Sequence, residues 1–118
     1  MKSFCYLLAI ILFTACGNKK AEIVEEIKKV KGELGRAKLN RDSYRSAGTH
    51  LRLYETSPKS VAHIYKEAIE TDKKYLKEVD SEVLNNPKKL DSIALIWEEK
   101  ARDYAYRLDS LEMELKKY

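Results

Sequence analysis

Nine apolar or aromatic side chains in the last third of the sequence keep alternating spacings of four and three: Leu90, Ala94, Trp97, Ala101, Tyr104, Leu108, Leu111, Leu115 and Tyr118. A period near 3.5 places all of them on one stripe of an α-helix. A strand would need alternation every second residue. Glu98–Arg102, Asp103–Arg107 and Glu112–Lys116 lie four apart with the acid first, the favourable order on a helix surface. A seam of this kind buries itself against other helices and predicts coiled-coil-like packing.

Two prolines, Pro58 and Pro87, divide what precedes the seam. The first predicted helix runs from about residue 20 to 47. Ile23, Ile27, Val30, Leu34 and Ala37 form its seam, Arg41 falls where an apolar residue is wanted, and Gly48 is expected to cap its end. Residues 49–56 are expected to form a loop laid over the bundle. Their alternation of Leu51 and Leu53 with polar residues is too short to hold a strand alone. The second helix is expected over 58–84, with Ser57 capping and Pro58 at the first helical position. Val61, Ile64, Tyr65, Ala68, Ile69, Leu76, Val79 and Val83 mark its buried side, interrupted by Thr71 and Asp72. Asn86 and Pro87 open the third helix, 87–118, by the same logic. The fold class is therefore all-α, a small antiparallel three-helix bundle occupying residues 21–118.

The first residues have a different character. Lys2 gives a positive start, Phe4–Phe13 contains no charge, and small residues precede Cys16. That order is the pattern of a secretory signal. The apolar run is too short to span a bilayer, which takes roughly 20 residues. Phe13-Thr14-Ala15-Cys16 resembles the lipobox of bacterial lipoproteins, with Phe13 in place of the usual leucine. The resemblance implies a signal peptide over residues 1–15, cleavage before Cys16, diacylglycerol on its thiol, and residues 16–20 as lipidated cysteine and tether. It also implies a cell-envelope location. Gly17 after the lipidated cysteine favours the outer membrane, facing the periplasm, in a Gram-negative host.

Ser57–Ile69 resembles the opening helix of cone-shaped domains of the nuclear transport factor type, but the sheet that follows there has no counterpart in this helical sequence. The seam and lipid anchor also resemble the murein lipoprotein family, whose terminal lysine is joined to peptidoglycan. Here Tyr118 follows Lys116-Lys117.

The 103 residues from Cys16 onward suffice for one small domain, and none after Cys16 is a cysteine, so packing alone must hold the body together. Residues 17–57 carry ten Lys/Arg against six Asp/Glu, and the remainder is close to neutral. The excess near the anchor suits an anionic lipid surface. Export and the neutral distal segments disfavour nucleic acid as a partner.

Candidate chemistry is sparse. His50 and His63 have no neighbours at metal-ligand spacing, and no phosphate loop or nucleophile elbow occurs. Asp72 is the one acid near an apolar seam, where a polar register device explains it better than acid–base work. No cofactor, metal or small-molecule substrate is expected, and the chain is not expected to be an enzyme. Ile93-Ala94-Leu95-Ile96-Trp97 is apolar all round its helix, more than one seam requires. Leu95 and Ile96, with Tyr75 and Tyr106 off the main seams, are the candidate surface for a protein partner or a second copy. The expected role is a membrane-anchored interaction module of accessory, inhibitor or exclusion type. The alternative is a structural spacer touching peptidoglycan or self-associating.

Overall fold

The computed structural model describes the backbone from Lys2 and the side chains from Asn18 to Tyr118. The expectations placed on residues 1–15 and on Cys16 fall on residues whose side chains lie outside those described. The elements are α1 (Lys2–Thr56), α2 (Lys59–Tyr75), α3 (Ser81–Leu84) and α4 (Pro87–Leu115), with no strand among the described residues. The protein is all-α. Among the described residues, no helix is long and apolar enough to cross a membrane.

Helix α1 passes straight through Gly48, which therefore caps nothing, and residues 49–56 are its last turns instead of a loop. The reason is visible in the spacing. Ala37, Arg41, Tyr44, Gly48 and Leu51 continue the four-three seam, and Ala37, Gly48 and Leu51 are buried. Glycine destabilises a helix interior by about 1 kcal/mol relative to alanine. Packing outweighs that here, because Gly48 lies against the start of α4. A Cβ at Gly48 would stand 2.8 Å from Asp91 Oδ1 and 3.4 Å from the Pro87 carbonyl oxygen. Leu53, the other half of the apparent alternation, is exposed.

The helix expected over 58–84 is broken. Its first stretch begins at Lys59, with Pro58 extended at φ −59°, ψ 150° in the cap position and no side chain capping it, so Ser57 does not serve as predicted. Its second stretch, α3, is separated from α2 by a turn at residues 76–80. Asp80 and Ser81, whose short polar side chains compete with helical hydrogen bonds, fall at the restart. The turn brings Leu76 and Leu84 into one buried cluster. No residue of α2 is buried. Its inward side is Ala62, Tyr65, Ala68, Ile69 and Asp72, all half-buried, whereas Val61 and Ile64, expected inside, are exposed. The rotation follows from its anchors: Ile69 packs on the core, and Asp72 pairs with His50 on α1.

Asn86 opens α4. Its Oδ1 accepts from the backbone N–H of Lys88 at 3.1 Å and of Lys89 at 3.3 Å. Pro87 follows as the first helical residue, where its missing N–H is no loss.

The chain forms two compact units. One comprises residues 35–101. Its core is Ala47, Leu51, Leu76, Leu84 and Leu90, backed by Tyr44, Ile69, Val79 and Val83. Leu90 is wholly buried, which stabilises by about 1.5–3 kcal/mol relative to exposure. The ion pairs Arg45–Glu98 (3.4 Å) and Arg52–Asp91 lie seven residues apart on both helices and in opposite order, so α1 and α4 run antiparallel here. The other unit comprises residues 1–34 and 102–118. In it, Ile23, Ile27 and Val30 of α1 are buried, and Tyr104, Leu108, Leu111 and Leu115 of α4 are half-buried at seam spacing. Glu26 and Arg107 pair across it.

Candidate interaction surface

One turn of α4 faces two ways. Ala94 is buried, with Ile93 and Trp97 half-buried beside it. A step of 100° per residue carries the next two side chains off the seam. Leu95 is 57% exposed and Ile96 51%. These are large aliphatic groups left in water by a neighbour that needs only one face of the helix. Lys100 Nζ lies 4.4 Å from the centre of the Trp97 ring, so a cation covers the indole from the solvent side. Leu95 and Ile96 lack such cover from the sequence around them, where Ser92 and Glu99 are themselves exposed.

The two candidate tyrosines are placed separately. Tyr75, 62% exposed, ends α2 within the 35–101 unit. Tyr106, 67% exposed, belongs to the other unit. Tyr44 behaves differently: it packs on the core, and burial raises its phenol above the ordinary value of 10.0. Leu39, Val61, Ile64 and Met113 are also exposed and were not foreseen as surface groups.

A half-buried polar pair that sequence reasoning missed joins His50 to Asp72, with Nδ1 2.6 Å from Oδ2. An ionised carboxylate only accepts, so Nδ1 carries the hydrogen and donates it. The two residues are 22 apart in sequence on different helices, so no spacing could have announced them. The available signal was the continued seam: once Leu51 is seen to face inward, His50 falls at the edge of the same face. Asp72 therefore sets the rotation of α2 against α1, as a polar register device does. Its neighbour across the helix pair, Asp42, accepts from Arg41 Nε at 2.9 Å. That hydrogen bond holds the Asp42 carboxyl below its ordinary value and raises the Arg41 guanidinium above its own. Both groups are at the surface, so the pair adds little stability. His63 is exposed. Among the described residues, no group of three or more His, Cys, Asp or Glu is placed to hold a metal ion.

Comparison with protein-family models, curated proteins and solved structures found no match to this chain.

Proposed function

We propose that this chain is a lipid-anchored helical interaction module of the bacterial cell envelope, held to the membrane through Cys16 and docking a protein partner through Leu95 and Ile96. The exposure of these two adjacent aliphatic side chains carries the reading. Apolar groups of this size gain most when a partner removes them from water, about 25 cal/mol per Å². The lipobox-like Phe13-Thr14-Ala15-Cys16 supports the anchor, and Gly17 supports an outer-membrane, periplasm-facing position. The role is non-catalytic, of accessory, inhibitor or exclusion type. Within residues 35–101, the same reading takes α1, α2 with α3, and α4 as the three legs of an antiparallel bundle that stiffens the docking helix.

Photo-crosslinking in living cells from residues 95 and 96 tests the docking surface. One discrete envelope protein in the product supports it, and absence of product from both positions refutes it. A ladder of self-crosslinks would replace the partner with further copies of the chain and favour a structural spacer. The anchor is tested separately. Cys16→Ser is expected to abolish incorporation of labelled palmitate and to release the protein from membranes, and unchanged membrane association would refute it.

A further inference from the structure

An open cleft of ≈ 460 Å³ lies between the middle of α1 and the last turn of α2, inside the 35–101 unit and formed by residues other than Leu95 and Ile96. Leu39 and Leu76 give it apolar walls, and Tyr75 stands with most of its ring in solvent. Ser46 adds an exposed hydroxyl, and two other hydroxyls share one character. Ser43 Oγ donates to the Leu39 carbonyl at 2.8 Å, and Thr71 Oγ1 donates to the Glu67 carbonyl at 3.1 Å. A hydroxyl that has given its hydrogen to the backbone offers the cleft only lone pairs. Asp42 and Asp72 add two carboxylates, each engaging one oxygen inside the protein, with Arg41 and His50 respectively. The second oxygen of each is left for another donor. No lysine or arginine is among the lining residues. Arg41 holds the Asp42 carboxyl below its ordinary value.

Two carboxylates beside two hydroxyls already spent on the backbone disfavour an anion. A purely apolar occupant would strip water from the oxygens and return no hydrogen bond, at a cost of about 1–3 kcal/mol for each group left unpaired. We propose that the cleft binds a cation on an aliphatic stem, the side chain of a lysine or arginine presented by a partner protein. The stem lies on Leu39 and Leu76, and the cationic head meets the oxygens of Asp42, Ser43 and Asp72. The Tyr75 ring offers its face to the same charge. This site stands on the cleft alone and does not depend on docking at Leu95 and Ile96.

Amide chemical shifts of the full-length protein, titrated with Nα-acetyl-lysine amide or Nα-acetyl-arginine amide, test the proposal. Nα-acetyl-norleucine amide supplies the same stem without the charge. The expected result is saturable shifts at Ser43, Ser46, Thr71 and Tyr75 with the cationic probes and none with norleucine. Asp42→Asn and Tyr75→Ala should each weaken binding about threefold, as for an exposed ionic contact, with the rest of the spectrum unchanged. Equal shifts from norleucine, shifts elsewhere on the molecule, or no saturation would overturn it. So would undiminished binding by Asp42→Asn.

Discussion

Gly48 shows how much one missing methyl group decides. Its backbone lies so close to Asp91 and Pro87 that an added Cβ would press on the Asp91 carboxylate, which is already paired with Arg52. Gly32 and Gly35 sit in the same helix with nothing within 4 Å of an added Cβ. Gly32→Ala and Gly35→Ala should each raise stability by about 0.5–1 kcal/mol, the helix-propensity difference. Gly48→Ala should gain less than either, because displacing Asp91 offsets the propensity. Urea unfolding followed by helical ellipticity measures this, and an equal gain at all three positions would contradict the close approach. Tyr44 offers a second reading at this scale. Its phenol is raised by burial, so the folded state resists ionisation that the unfolded chain accepts. The contribution of neutral Tyr44 is complete below the ordinary value of 10.0 and is lost as pH rises through the higher folded value. The melting temperature should therefore fall more steeply above pH 10.0 in the native protein than in Tyr44→Phe. Parallel pH profiles for the two would count against a buried phenol.

The helix ends differ in what holds them. Asn86 caps α4 with two backbone hydrogen bonds, whereas Ser57 makes no cap before α2. Asn86→Ala should destabilise by about 1 kcal/mol and Ser57→Ala by no more than about 0.5 kcal/mol. A reversal of that order in thermal unfolding would mean that the caps are misassigned. The seam of α4 was readable because eight positions from Leu90 to Leu115 repeat without interruption. The helix expected to reach residue 118 nevertheless ends at Leu115 and leaves Tyr118 exposed. The seam of α1 was readable to Ala37 and then obscured by Arg41 and Gly48. Both are poor signals for a helix when seen alone. Arg41 is tolerated because its guanidinium reaches Asp42 at the surface, and Gly48 because α4 fills the space beside it. The break after Tyr75 was hidden for the opposite reason. Leu76, Val79 and Val83 keep a helical rhythm, yet the core is reached by a turn that swings Leu76 and Leu84 into one cluster.

Across the molecule, the exposed pair on α4 is separable from stability. Leu95→Lys and Ile96→Lys remove apolar groups from water, not from the core, so unfolding should change by no more than about 0.5 kcal/mol. Crosslinking from a neighbouring site such as Glu99 should be lost in both. A large loss of stability would instead place the two side chains inside a packed surface. The helical class and the Asn86-Pro87 start of α4 were legible in the amino-acid order, as was most of the buried stripe on α1 and α4. Capping and periodicity act over a few residues, and their signals stay local. The rotation of α2, the His50–Asp72 pair, the passage of α1 through Gly48 and the cleft beneath Tyr75 were not. Each depends on groups 20 or more residues apart meeting across helices. Only the packed structure decides such meetings, because burial and close approach can override what any single stretch of chain would prefer.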